Sequence, residues 1–162
     1  MTSFLWAQGN RRSPAKTASG EVNGANITIN YSSPSVNDRE GKPREIFGGL
    51  VPYGEVWRTG ANEATTFETS KAIRVEGKTL PAGKYSLYTI PGEKEWTVIF
   101  NKKTGQWGIN RDGSSTRMEA DDALTVKVKP RKTDFTERMT FDVTNKGVSL
   151  RWAAVEVPLS IK

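Results

Sequence analysis

The sequence predicts an all-β fold, a mostly antiparallel β-sandwich of jelly-roll type with little helix, and three observations predict it. First, 12 Val, 8 Ile and 17 Thr stand against 12 Ala, 7 Leu and 3 Met, a balance that favours pleated over helical backbone. Second, apolar residues recur with period 2 in run after run. Third, clusters of Gly, Pro and Asn punctuate those runs at short intervals. A chain of 162 residues with 35% hydrophobic content is expected to form one domain. Its formal charge of +6 and its five Trp argue for packing rather than disorder.

The elements follow in order. Ile27, Ile29 and Tyr31 alternate with Asn26, Thr28 and Asn30, which gives a strand with one wet face. The same parity puts Ile27 and Tyr31 inward, so the glycosylation-like triplets at Asn26 and Asn30 read as coincidence. Residues 37–44 read as a surface loop. Gly77-Lys78-Thr79 mimics the end of a phosphate loop, but Ala72 occupies the place of the first glycine and Leu80-Pro81 follows where a helix would start. A hairpin turn is the expectation there, with further hairpins at Pro81-Ala82-Gly83, Pro91-Gly92 and Asn145-Lys146-Gly147. In the run from Trp96 to Asn101, Trp96, Val98 and Phe100 share one face while Ile99 takes the other, so that strand is expected to be central and covered on both sides. Residues 111–122 read as a polar surface loop, with a single helical turn near 117–122. Leu124, Val126 and Val128 form another alternating set, as do Met139, Phe141 and Val143, and then Val148, Leu150 and Trp152. After that, inward parity passes to Val155, Val157, Leu159 and Ile161, which predicts a bulge or bend at Ala153-Ala154 where the chain exchanges faces or sheets.

The inventory excludes much chemistry. With no Cys and no His, there are no thiol nucleophiles, imidazole shuttles, Ser-His-Asp triads or thiolate and imidazole zinc sites. No metal or cofactor is expected, and any acid–base work would fall to Asp, Glu, Lys or Tyr. Arg11, Arg12 and Lys16 give the first sixteen residues half of the net charge. Elsewhere bases alternate with acids, so no cationic stripe for nucleic acid is expected. Phe4-Leu5-Trp6-Ala7-Gln8 is too short to span a bilayer. It matches the end of a secretory signal, with Ala7 beside a cleavage point, or else a flexible terminus. Residues 1–16 are accordingly read as a signal remnant or tail, and residues 17–162 as the sandwich domain, placed outside the cytoplasm.

One segment fits neither strand nor helix: Gly48 to Thr65. Its glycines and proline call for a shaped backbone, and between them sit Tyr53, Trp57, Arg58, Asn62 and Glu63. An aromatic platform beside a guanidinium, an amide and a carboxylate suits a polar ligand with a ring face. Trp107, in the Gly105–Gly108 loop, is a candidate for another wall of the site. The expected function is binding of a small polar or carbohydrate-like ligand through the loop from Tyr53 to Glu63, without catalysis. A glycan- or ester-directed hydrolase using Glu63 as acid or base, with Glu55 as second carboxylate, is one alternative. The other is a structural or envelope-interaction domain in which the same side chains satisfy one another.

Phe47-Gly48-Gly49-Leu50-Val51-Pro52-Tyr53-Gly54 and the run from Val56 to Thr65, with Trp57-Arg58-Thr59-Gly60-Ala61-Asn62-Glu63 at its centre, resemble a bacterial family. The stretches Leu80 to Leu87, Trp96 to Asn101 and Gln106-Trp107-Gly108 share the likeness, which extends from about Ser13 to the C-terminus. The family is the bacterial domain-of-unknown-function family 2911. The resemblance implies export, in bacteria of the Bacteroidetes kind, but no activity, and it marks Trp57, Arg58, Asn62 and Glu63 as signature positions. Where such proteins often carry tyrosines after Gln106-Trp107-Gly108, this chain has Ile109-Asn110.

Overall fold

The computed structural model describes residues 12–162, and the Phe4–Gln8 run lies outside the described residues. Strands β1 (Ala15–Val22) and β2 (Ala25–Ser32) form a hairpin. It closes on Asn23-Gly24 at φ 48° and 81°, the residue pair that a two-residue turn with both centres left-handed selects. Strand β1 takes in Ala15 and Lys16, which the sequence reading assigns to the tail. Next come β3 (Thr66–Thr69), β4 (Ile73–Val75), β5 (Lys78–Leu80), β6 (Gly83–Ile90), β7 (Trp96–Asn101) and β8 (Asp122–Val128). A single 3-10 turn at Glu119–Asp121 precedes β8. Two long strands, β9 (Arg131–Thr144) and β10 (Gly147–Ser160), complete the chain.

The first layer is a six-stranded antiparallel sheet in the order β1-β2-β3-β6-β7-β8. The second is built on the β9–β10 hairpin. At one end Arg74 and Lys162 exchange N–H···O bonds of 2.7 and 2.9 Å, attaching the β4–β5 hairpin to the end of β10. On β9, the Glu137 carbonyl accepts from the Val36 N–H at 2.9 Å, and the Met139 N–H donates to Pro34 at 3.0 Å, which attaches residues 34–36.

The core lies between the layers, where Ile27, Ile29, Phe67 and Phe100 meet Met139 and Trp152, all essentially inaccessible to water. Each such side chain contributes about 1.5–3 kcal/mol by leaving water. Strand β7 is covered on both faces as expected, although only β8 separates it from the sheet edge. Its Ile99 joins Tyr88 and Ala64 in a small second cluster on the sheet's outer face.

The expected irregularity at Ala153-Ala154 is present: Ala153 has φ 52°, and the β9–β10 register shifts on either side of it. The consequence exceeds an exchange of faces. The Ile161 N–H donates to the Lys146 carbonyl at 3.1 Å, and the Ser149 hydroxyl to Glu156 at 2.6 Å. Strand β10 therefore doubles back, and its two halves lie beside one another. Gly147 fits there because a Cβ would sit 2.0 Å from the Leu159 carbonyl oxygen. A second correction concerns Pro81-Ala82-Gly83. It joins β5 of one layer to β6 of the other, so it is a crossing between layers and not a hairpin. Among the described residues, no helix is long and apolar enough to cross a membrane.

Candidate functional site

The irregular segment begins where β3 gives out. Strand β3 pairs with β6 as far as Thr66↔Ser86, and beyond that point Trp57 replaces it. The Trp57 N–H donates to Thr89 at 2.7 Å and the Thr89 N–H returns a bond of 3.0 Å. This pairing turns the indole into the sandwich, where it stacks on Trp152 with centroids 6.0 Å apart and planes at 15°. Phe47 and Trp96 meet it edge to face at 5.9 and 6.3 Å. Contacts of this kind add about 0.5–1.5 kcal/mol each beyond burial, so Trp57 is first of all an anchor.

The next residues are locked tightly. Thr59 is fully buried with φ 60°, a conformation that a β-branched residue adopts only when its surroundings over-determine it. Its hydroxyl lies 3.0 Å from that of Thr89, and its carbonyl accepts from the Thr65 hydroxyl at 2.7 Å. At Gly60 a Cβ would lie 3.1 Å from both the Ser32 carbonyl and the Thr65 hydroxyl. Asn62, at φ 58°, donates through Nδ2 to the Ser13 carbonyl at 3.2 Å.

Arg58 points away from this anchor. Its Nη1–H donates to the Asn62 carbonyl at 2.6 Å, and its Cζ lies 5.6 Å from the ring centroid of Trp107. Trp107 remains 47% exposed and roofs the guanidinium, a cation–π arrangement. Gly108 permits the approach, because a Cβ there would lie 2.8 Å from that of Arg58. Burial pushes the guanidinium down from its ordinary value, with the charge of Glu63 acting in the opposite direction.

Beside Arg58 opens a cleft of about 350 Å³, within the range of small-molecule sites. Trp57, Leu50, Val56 and Ile109 give it apolar walls, Arg58 and Arg44 give it cations, and Glu55 is the carboxylate that lines it. The six residues singled out in the sequence do not all converge there. Trp57 and Arg58 line the cleft, while Asn62 and Trp107 fix Arg58. Tyr53, 40% exposed, lines a neighbouring groove of about 200 Å³ with Phe47, Trp96, Arg131 and Lys132. Glu63, exposed at the surface, lines a depression on the outer sheet face with Lys16, Thr17 and Asn30.

Sequence reading missed Arg44. It ends a polar loop and sits in no alternating run, so only its position after Pro43 sets it apart. It is held by two carbonyls, with Nη2–H to Ser35 at 2.6 Å and Nε–H to Val36 at 3.2 Å. Among the described residues, no group of three or more carboxylates is placed to hold a metal ion.

Searches of curated proteins and of solved structures each found no match. A comparison with family profiles did find one. It spans residues 13–161, taking in every strand and the whole cleft-forming segment, so the chain belongs to the family described as Protein of unknown function (DUF2911).

Proposed function

We propose that this protein is a non-catalytic binding module, working outside the cytoplasm, whose cleft between Trp57, Arg44 and Arg58 takes a small polar, carbohydrate-like ligand. The observation that carries this reading is the pairing, in one cleft, of apolar and aromatic walls with guanidiniums fixed by backbone carbonyls. Aromatic and aliphatic surface suits the C–H face of a sugar ring, and oriented N–H donors suit its oxygens. Rigid strand-anchored supports mean that little ordering is left to be done on binding. A hydrolase that pairs Glu63 with Glu55 is disfavoured because the two carboxylates line different depressions, Glu55 the cleft and Glu63 the outer sheet face. The apolar run Phe4–Ala7 ahead of Gly9 supports export.

The test is calorimetric titration of the folded protein with a panel of neutral, amino and acidic monosaccharides, repeated with Arg58→Met. Saturable binding that the substitution abolishes, with the melting transition retained, supports the module. A parent protein silent towards the whole panel contradicts it. N-terminal sequencing of the chain recovered from the periplasm tests export, and a cytoplasmic chain with Phe4–Ala7 intact overturns it.

A further inference from the structure

We infer that the cleft selects sugars bearing a carboxylate, held between Arg44 and Arg58, over their neutral counterparts; this rests on the binding-module reading and deepens it. Two guanidiniums line one cleft, and each is oriented by carbonyl oxygens: Arg44 by Ser35 and Val36, Arg58 by Asn62. A carbonyl orients a guanidinium without neutralising it. A guanidinium has five N–H donors in a planar fork, and those three bonds occupy three of the ten that the pair presents. The fork matches a carboxylate in two-pronged fashion.

The charge balance disfavours a dianion. The lining holds two cations and the acid Glu55, while Glu63 and Asp38, outside the lining, also attract Arg58 and Arg44. A phosphate dianion fits less well because its second charge would share the cleft with Glu55. The remaining lining, Trp57, Leu50, Val51, Val56 and Ile109, offers a ring face something to lie on. A ring with one carboxylate satisfies both halves of the cleft.

The experiment is titration of the full chain with D-glucuronate, D-glucose, benzoate and inorganic phosphate at matched ionic strength, followed by Arg44→Met and Arg58→Lys. Arg58→Lys keeps a cation at a position where complete truncation would disturb Asn62. Glucuronate should bind at least tenfold more tightly than glucose, about the value of one charge-assisted hydrogen bond. Each variant should lose at least about tenfold in glucuronate affinity and lose less for glucose, so that the preference for the acid narrows. Glucose binding as tightly as glucuronate overturns the acidic selection and leaves the binding module standing. Phosphate displacing glucuronate at equal concentration overturns the preference for a carboxylate. Benzoate binding while glucuronate stays silent overturns the sugar, and silence towards all four probes overturns both readings.

Discussion

Two arginines lie half-sheltered in the loops on the same side of the first sheet, and the contrast between them explains why the cleft is read as a site. Arg117 is matched by a carboxylate: its guanidinium grips Asp122 at both oxygens, with Nε–H to Oδ1 at 3.2 Å, and the same carboxylate accepts from Asn101 at 2.8 Å. That hydrogen bonding raises the Arg117 pKa above its ordinary value. Arg58 faces a backbone carbonyl and an indole, and burial lowers its pKa despite Glu63. The first is a staple that closes residues 102–118 onto β7 and β8. The second is a cation brought partly out of water and aimed by groups that leave its charge in place, an arrangement that favours an incoming anion.

Removing each arginine should therefore give opposite results. The largest effect belongs to Arg117→Met, which leaves Asp122 sheltered without its cation; urea unfolding should show a loss of about 3 kcal/mol, with ligand affinity unchanged. Gly108→Ala comes next. A Cβ at φ 101° would press on Arg58, so about 2 kcal/mol of stability should be lost together with ligand affinity. Thr59→Ala strands the Thr89 hydroxyl and should cost about 1–2 kcal/mol. Arg58→Met should cost about 1 kcal/mol or less and abolish binding. If it proves as destabilising as Arg117→Met, the contrast collapses and Arg58 is a second staple.

Another arginine–carboxylate contact, at the surface, extends the scale downward. The Glu156 carboxyl sits below its ordinary value because the Ser149 hydroxyl, and then Arg131, donate to it. A depressed folded pKa contributes stability above the unfolded value of about 4.3, and that contribution disappears as pH falls through the lower folded value. Glu156→Gln should thus be slightly less stable than the parent at pH 7, with the gap closing as unfolding is measured towards pH 3.

How much of this was legible in the sequence depends on what holds each element. Strands β2, β8 and the first half of β10 alternate because they pack one face on the core, and period 2 records that directly. Strand β1 carries short and polar side chains, Ala15-Lys16-Thr17-Ala18-Ser19-Gly20. It is a strand because β2 pairs with it and because Gly20 lets it close on Val143. Strand β6 hides its period because it is buried on both faces: Ser86 and Thr89 are inaccessible yet satisfied, by the Lys103 carbonyl at 2.6 Å and the Thr59 hydroxyl at 3.0 Å. The doubling of β10 left only a change of parity in the sequence, since reversal depends on the close approach of Gly147 to Leu159.

The site followed the same logic. Glycines at 48, 54 and 60 announced an irregular backbone, and Trp57 with Arg58 proved to line its cleft. Proximity along the chain suggested that Tyr53 and Glu63 would join them. Left-handed turns at Gly54, Thr59 and Asn62 send those side chains to other surfaces. Arg44 comes from a separate loop, and only the pairing of residues 34–36 with β9 brings it into place.

The account's central claim, that the cleft between Trp57, Arg44 and Arg58 receives a small sugar-like acid, is tested most directly by two-dimensional ¹H–¹⁵N NMR of side-chain N–H groups during a glucuronate titration. The account predicts saturable shifts of the Arg58 and Arg44 guanidinium and Trp57 indole signals on one binding curve, with the Arg117 signal unmoved. Shifts confined to other residues, or none at these three through saturation of the titration, would contradict it.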